Sequence, residues 1–496
     1  MLIGLDLNAT RARAVCGPTA QAAAPLSLEG ADLELPVAVS LEGRAPAVGR
    51  AGAALSRRQP DLACLDFLPQ LGTDRVWSAG RLRIDAAGAL ALVFDCLGRA
   101  FGKATGVAVA LPPYLSEEQE VLLARVAERA RWRLLGAVPT PVAAALAAQE
   151  QLPWSGLALV LDVDGHALTW SAVDVGAEQA RLVQAQAVPA LARAVWLRRL
   201  LDGVSQRCIR LSRRDPRESA ETEQALYDQL AVAVERPAAG DLLELVVQAP
   251  QWYQHLRFRP EELAALCVPL VRQALAEMQN FLAATAGQGA VSALLLTAAA
   301  ASLPGLAAAL EEQLQAPAAA RLPDPGEDGD FGEDLLSDDR VMAHRVHVLD
   351  ADAVARAAHA VALRMNRGEL PRDRLIEVPL PAAAGDEARG PARLHFRGED
   401  YPLARPTFTL GRDPGCDLVF ESELYPTVSA RHCEIVFDRH TYTLRDRSRH
   451  GTLVNDRPVN QQVALHSGDW IQLGPSGPVL RFLGRPTDRP RLMPTA

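Results

Sequence analysis

The sequence is poor in aromatic residues and has no cysteine pairing motif. Only 5% of its 496 residues are Phe, Trp or Tyr although 49% are hydrophobic, so its cores must be built mainly from Ala, Leu and Val. The seven cysteines are scattered and form no CxxC pair. This distribution argues against a zinc site and a disulfide framework, and it fits a reducing cytoplasm.

Positive charge is almost entirely arginine, and acids outweigh it. Lys103 is the only lysine, which excludes any mechanism that needs a lysine elsewhere, and the net charge is −9. An acidic chain is not expected to bind nucleic acid or membranes as its main role. No apolar run approaches the roughly 20 residues of a membrane span. Met1 leads directly into a strand-like segment without the basic start of a signal peptide, so we expect a cytoplasmic location.

The length predicts more than one structural unit, because a single core does not extend over 496 residues. Strand and helix patterns alternate through residues 1–366, which is typical of α/β layering. Residues 2–16 predict two strands around a tight turn, and residues 157–175 predict two more around Asp164-Gly165. Ser116 and Gln119 predict a capping box that opens a helix reaching about Arg133.

This α/β region resembles the Hsp70/actin-type ATPase fold. The resemblance implies a two-lobed domain with ribonuclease-H-like lobes over residues 1–366. It is carried by six segments in the family's order: IGLDLNAT (3–10) at the first phosphate loop, VAVALPPYLSEEQ (107–119), PTPVAAALA (139–147), LVLDVDGHALTWS (159–171) at the second phosphate loop, ALLLTAAAASLPGL (293–306) at the adenosine side and DADAVARAAHA (350–360) at the closing helix.

The residues that the resemblance implies for nucleotide binding are mostly replaced. Asn8-Ala9-Thr10 stands where the family has Gly-Thr-Thr, and residues 164–167 stand where it has three glycines and a threonine. Glycine matters there because it lets backbone amides approach phosphate closely. Asp164 would add a negative charge beside phosphate. We therefore expect no catalytic turnover.

Asp6, Thr10 and Asp162 remain at positions that match the family's pattern. In the family the two aspartates orient water around a magnesium ion, so residual binding of Mg-ATP is one interpretation. The other interpretation is that these residues close turns at strand ends. No other cofactor or metal is expected.

Short apolar runs between Gly411 and Asn455 alternate with polar turns, the pattern of a small β-sandwich. Three turns carry Gly411-Arg412, Ser429-Ala430-Arg431-His432 and residues 448–452 (SRHGT). If these turns lie at one end of the sandwich, guanidinium and hydroxyl groups converge there. Such groups suit a dianionic phosphate, which accepts charge-assisted hydrogen bonds.

The GR, SxRH and LxDxSxxGTxVN motifs look like a forkhead-associated (FHA) domain, a reader of phosphothreonine peptides, and LHSGDWIQLG (465–474) resembles its closing strands. The resemblance implies that Arg412 and Ser429 hold the phosphate with help from Arg431 and Arg449. His450 stands where the family has an asparagine that grips the peptide backbone, and histidine lacks the paired donor and acceptor of an amide. We expect His432 to brace its turn.

The predicted organisation is an Hsp70/actin-like domain at 1–366 with an acidic insertion at 323–340, a semi-extended linker at 367–391, an all-β FHA sandwich at 392–486 and a tail at 487–496. The insertion reads as a solvated surface segment. Docking of its acids onto the arginine-rich face of the sandwich is the alternative.

The predicted function is phosphothreonine-dependent binding by an adaptor whose scaffold lacks most catalytic residues, in Ser/Thr kinase signalling. The expected partner is a phosphothreonine-containing protein, with a Ser/Thr kinase as a candidate. The alternative is an ATP-binding conformational switch, or a chaperone-like protein of the Hsp70 family, targeted to phosphoproteins by its FHA domain. A chaperone needs a peptide-clamping domain, and the linker leads directly to the sandwich instead.

Overall fold

The computed structural model describes residues 1–483 with gaps. Its contacts divide the chain into two compact units. The first contains Met1–Gln151 and Gly156–Pro379, and the second contains Trp154 and the described residues from Leu380 onward. The acidic insertion, the tail and positions 381–391 of the predicted linker lie outside the described residues, as does the docking alternative. The undescribed positions are 152–153, 155, 177–178, 236–241, 286–290, 316–345, 381–391, 398, 404, 406, 423, 439–440, 456, 466–467, 476 and 484–496.

The first half of the first unit is built on a mixed sheet with the strand order β11-β10-β1-β2-β3, and β4 also pairs with β2. Strand β1 is antiparallel to β2 and parallel to β10, which is parallel to β11. The elements are β1 (Leu2–Leu7), β2 (Arg11–Gly17), β3 (Ala24–Leu26), β4 (Glu34–Pro36), β5 (Val39–Ser40), β6 (Ala47–Val48), α1 (Arg50–Ala53), β7 (Ala63–Cys64), β8 (Val76–Ala79), β9 (Leu82–Asp85), α2 (Ala86–Phe101), β10 (Gly106–Leu111), α3 (Glu117–Arg129), β11 (Leu134–Pro139) and α4 (Thr140–Gln151).

The second half repeats this scheme in the order β18-β17-β12-β13-β14-β19. Strand β12 is antiparallel to β13 and parallel to β17, which is parallel to β18. The elements are β12 (Gly156–Val163), β13 (Leu168–Val175), β14 (Gln179–Val188), α5 (Arg193–Ser212), α6 (Ala220–Glu235), β15 (Leu243–Ala249), β16 (Trp252–Phe258), α7 (Pro260–Ala284), β17 (Val291–Leu296), α8 (Ala298–Ala301), α9 (Leu306–Gln315), β18 (Val346–Val348), α10 (Ala353–Arg367) and β19 (Glu377–Pro379).

Two helices that contact each other connect these sheets. Helix α4 follows β11 in the chain but contacts β12, β13 and β14 of the other half, and α10 follows β18 but contacts β1 and β10. A Cβ on Gly4 of β1 would lie only 2.1 Å from the backbone nitrogen of His359 in α10, so this helix lies directly on the strand. Small residues thus allow the close helix–sheet packing that an aromatic-poor chain uses for its core.

The first part of the predicted linker belongs to the first unit. Strand β19 pairs with β14, and the backbone nitrogen of Leu375 donates to the carbonyl of Ala137 at 2.8 Å. Leu370, Leu375 and Val378 are buried. The linker was predicted from the proline and charged residues of this segment. Its apolar residues pack against the first unit instead, and β19 extends the sheet beside β14.

The second unit is a sandwich of two sheets, with strand orders β21-β20-β30-β29-β26-β27 and β23-β22-β24-β25-β28. Its core packs Leu394, Leu410, Ile435, Leu444 and Phe482 between them. The β-sandwich expected for the C-terminal region is therefore present. The strands are β20 (Arg393–Phe396), β21 (Glu399–Pro402), β22 (Thr407–Gly411), β23 (Leu418–Val419), β24 (Cys433–Asp438), β25 (Thr441–Asp446), β26 (Thr452–Val454), β27 (Arg457–Pro458), β28 (Gln462–Leu465), β29 (Trp470–Leu473) and β30 (Val479–Leu483).

Candidate functional site

The first site loop begins where β22 ends, at Gly411. The backbone nitrogens of Arg412 and Asp413 donate to the carbonyls of Ser429 and Ala430 at 3.1 and 2.9 Å. A Cβ on Gly411 would lie 2.1 Å from the Ala430 carbonyl oxygen, so only glycine allows this approach. The loop that carries Arg412 is thereby joined directly to the loop that carries Ser429.

The third loop is joined to Ser429 through its hydroxyl. The backbone nitrogen of Arg449 donates to Ser429 Oγ at 3.1 Å. A serine hydroxyl that accepts in this way keeps its own O–H for donation to another group. The structure therefore brings together the loops of three predicted site residues, Arg412, Ser429 and Arg449.

His432 connects the second and third loops from the buried side, and the sequence predicts this bracing role. Its ring is buried, Nδ1 accepts from the backbone nitrogen of Ser429 at 3.0 Å, and Nε2 lies 3.2 Å from the carbonyl oxygen of Gly451. Because Nδ1 accepts, the proton is on Nε2, which donates to Gly451. Burial lowers the pKa of His432, which favours this neutral form. Gly451 has φ 81°, a conformation that suits glycine.

Asp446 and Asn455 hold the ends of the third loop. Asp446 Oδ1 accepts from the backbone nitrogen of Ser448 at 3.0 Å and from Thr452 Oγ1 at 2.7 Å. Asn455 Oδ1 accepts from the backbone nitrogen of Trp470 at 2.9 Å. Both residues lie within the quoted LxDxSxxGTxVN motif, but sequence reasoning assigned them no role. The motif spacing was the signal that could have found them.

The tip of these loops is rich in exposed positive charge. Arg412, Arg431, Arg449 and His450 are exposed, and Arg431 Nε lies 4.0 Å from Asp413 Oδ2. Guanidinium groups of this kind donate charge-assisted hydrogen bonds to a phosphate dianion. The structure places Arg431 in the same turn as Ser429, and it places His450 directly after Arg449.

The other predicted site residues lie in the first unit. Asp6 and Asp162 line a cavity of about 10 Å³, the space of one water molecule. Burial raises the pKa of Asp6, and it raises that of Asp162 to about 7. Asp162 Oδ1 accepts from Thr297 Oγ1 at 2.6 Å. Thr10 lies outside this cavity, and its hydroxyl accepts from the backbone nitrogen of Gly165 at 2.5 Å.

Sequence reasoning missed Arg11, whose buried side chain lines the same cavity. The nearby charges of Asp6, Glu34 and Asp162 raise its pKa against the opposing effect of burial. Among the described residues, no group of at least three His, Cys, Asp or Glu side chains is arranged to hold a metal ion. The sequence did carry a signal for Arg11, because a charged residue at the start of the otherwise buried strand β2 needs a charged or polar partner.

Residues 408–474 match the family model of the FHA domain, so the C-terminal sandwich is an FHA domain. FHA domains bind phosphothreonine-containing proteins, which agrees with the exposed arginine and serine loops. The matched residues all lie within the second unit.

Part of the chain is similar to the E3 ubiquitin-protein ligase CHFR of Homo sapiens and of Pongo abelii. Identity to each is 42% over 81 residues, which is 15% of this chain. The match spans 12% of the human protein and 14% of the Pongo abelii protein. In the part of the chain that the structure describes, no helix is both long and apolar enough to cross a membrane.

Acidification is expected to destabilise the FHA domain through His432. Its folded-state pKa is lowered by burial, so between that value and the unfolded value of about 6.5 only the unfolded chain takes up the proton. The stability is fully present above the unfolded pKa, and it declines as the pH falls through this window. Hydrogen exchange of β24 and β25 at pH 7.5 and 5.5, corrected for intrinsic rates, measures the loss.

His450→Gln is the matched control, because it removes an exposed histidine whose charge lowers the His432 pKa less than burial does, and it should leave most of the pH response intact. His432→Gln should weaken the response. A corrected exchange rate that does not change with pH in the wild-type chain would contradict this prediction.

Proposed function

We propose that this chain is a phosphothreonine-dependent adaptor whose FHA domain recruits a phosphorylated partner. The observation that carries the proposal is the hydrogen-bonded junction of the Arg412, Ser429 and Arg449 loops. Exposed guanidinium groups and the half-buried hydroxyl of Ser429 lie at this junction. A threonine phosphate adds negative charge and acceptor oxygens, so binding switches with phosphorylation.

The partner follows from this chemistry. A threonine phosphate is made by a protein kinase that acts on Ser or Thr, so we propose that the chain works in Ser/Thr kinase signalling and that a kinase is a candidate partner. We propose that the chain acts in the cytoplasm. The ligase activity named for the CHFR proteins is not extended to this chain, because the match covers 81 residues.

We also propose that the first unit is an Hsp70/actin-like scaffold rather than an ATPase. The repeated strand order and the two helices between the sheets support the resemblance. The replaced phosphate loops, and the buried Arg11 beside Asp6 and Asp162, argue against nucleotide hydrolysis. An ATP switch through Asp6, Thr10 and Asp162 is less favoured, because Thr10 and Asp162 already have hydrogen-bond partners in the chain.

Partner binding is expected to depend on phosphate. The full chain should retain a partner from a lysate of its own source, and phosphatase treatment should release it, since removing the dianion removes the charge-assisted hydrogen bonds. A phosphothreonine peptide derived from that partner should compete, and its unphosphorylated form should not. Calorimetry with the two peptides gives the affinities.

Inactivated phosphatase is the control for handling losses. Equal retention of every partner after complete dephosphorylation would overturn the proposed function.

A further inference from the structure

Two turns of the first unit meet at the carboxylate of Asp164. One turn, Asn8–Thr10, joins β1 to β2, and the other, Asp164–Ala167, joins β12 to β13. Asp164 Oδ1 accepts from the backbone nitrogens of His166 and Ala167 at 2.9 and 3.0 Å. Its Oδ2 accepts from the backbone nitrogen of Ala9 at 3.0 Å, across the two halves of the unit.

A fourth donor completes the set. The Tyr114 hydroxyl, from the segment after β10, donates to Asp164 Oδ2 at 2.5 Å. Asp164 is buried. Burial of the Tyr114 hydroxyl raises its pKa well above the usual range, and the negative charge of Asp164 raises it further. Backbone amides that converge in this way form an anion-binding nest. In this chain the anion in the nest is a side chain of the protein.

Further contacts join the Asp164–Ala167 turn to the first half. Thr10 Oγ1 accepts from the backbone nitrogen of Gly165. His166 Nδ1 lies 3.3 Å from Asp66 Oδ2, and its ring lies 4.9 Å from that of Tyr114. The junction between the halves is therefore a polar network of main-chain and side-chain groups.

The halves are also joined at a second place. Gln224 Oε1 of α6 accepts from the backbone nitrogen of Arg57 at 2.7 Å and from Ser56 Oγ at 3.3 Å. The Arg57 guanidinium lies 4.8 Å from the centre of the Tyr227 ring. These polar contacts add to the packing of α4 and α10, which also connect the halves.

We propose that Asp164 is a built-in anion that fills the amide nest between the two halves and holds the first unit closed. A free phosphate group is excluded from this nest, because the amides that would bind it are already satisfied and the carboxylate repels it. This contact is separate from the phosphothreonine site, since all of its residues lie in the first unit.

Hydrogen exchange of the full chain tests this contact. Asp164→Asn keeps an oxygen for the turn of its own half and replaces the other oxygen with an amide that cannot accept from Ala9 or Tyr114. Loss of a hydrogen bond to a charged group predicts at least about tenfold faster exchange over residues 8–11. Asp174→Asn, an exposed carboxylate on β13, is the matched control and should leave these rates unchanged.

Phosphate distinguishes the filled nest from an empty one. Millimolar inorganic phosphate should slow exchange at residues 8–11 and 164–168 in Asp164→Gly and should not alter the wild-type chain. If Asp164→Gly does not fold, Tyr114→Phe removes one donor from the network and should raise exchange at the same residues. Unchanged rates in Asp164→Asn and Tyr114→Phe, or protection of the wild-type nest by phosphate, would overturn the proposal.

Discussion

Arg412→Ala is expected to abolish measurable phosphothreonine-peptide binding while both units stay folded. The guanidinium is exposed at the end of β22, so its removal opens no cavity in the core. Truncating one partner of a hydrogen-bonded charge pair that the bound peptide buries costs about 2–5 kcal/mol, roughly 30-fold to several thousand-fold in affinity. Calorimetry of the full chain with a phosphothreonine peptide from its partner measures the change.

Arg405→Ala is the matched control for charge. Arg405 precedes β22, at the opposite end of the strand from Arg412, and its side chain is 77% exposed, so the same loss of positive charge should leave affinity nearly unchanged. His450→Asn tests the departure from the family pattern and should bind at least as tightly, because an amide can pair twice with peptide backbone. Wild-type affinity in Arg412→Ala would refute the assigned phosphate site.

Gly411→Ala is expected to destabilise the FHA domain and weaken peptide binding with Arg412 still present. The added methyl group would lie 2.1 Å from the Ala430 oxygen and 3.0 Å from the Arg431 Cα, both backbone atoms. Overpacking of this kind costs about 1–3 kcal/mol or more. We expect a loss of at least about 2 kcal/mol, because the loops of Arg412 and Ser429 must separate. Denaturant unfolding measures the loss of stability, and hydrogen exchange of β22 and β24 shows where in the domain it occurs.

Gly415→Ala separates this contact from a general effect of removing glycine. A Cβ there would meet Asp413 Oδ1 at 3.4 Å, an ordinary contact. The variant should keep wild-type stability and affinity. Equal stability of Gly411→Ala and Gly415→Ala would show that the loops tolerate the methyl group, contrary to the predicted overlap.

Arg412→Ala and Gly411→Ala both test a site that depends on backbone geometry as much as on side chains. Gly411 and His432 set the distances among the three loops, and the exposed arginines supply the charge. Arg412 and Ser429 were predicted from the motif, because their residue types suit phosphate binding directly. Asp446 and Asn455 were missed because their partners are backbone groups, which a sequence does not display.

Local patterns predicted much of the fold. The strands at residues 2–16 and 157–175 are present, and the capping box at Ser116 and Gln119 opens α3 as predicted. Alternation of apolar residues and side-chain capping are properties of neighbours along the chain, so they are readable without coordinates. Helix α3 ends at Arg129 rather than near Arg133, because Arg131 has a left-handed φ of 60° that a helix does not continue through.

The role of Asp164 could not be read from the sequence, where it predicted only repulsion of phosphate. Its carboxylate is instead held by donors from Ala9, Tyr114, His166 and Ala167. Two of these donors are distant in sequence and belong to the other half of the unit. Residue types and spacings report what a segment can do, whereas long-range packing determines which groups meet, and that pairing sets whether a buried charge repels a ligand or replaces one.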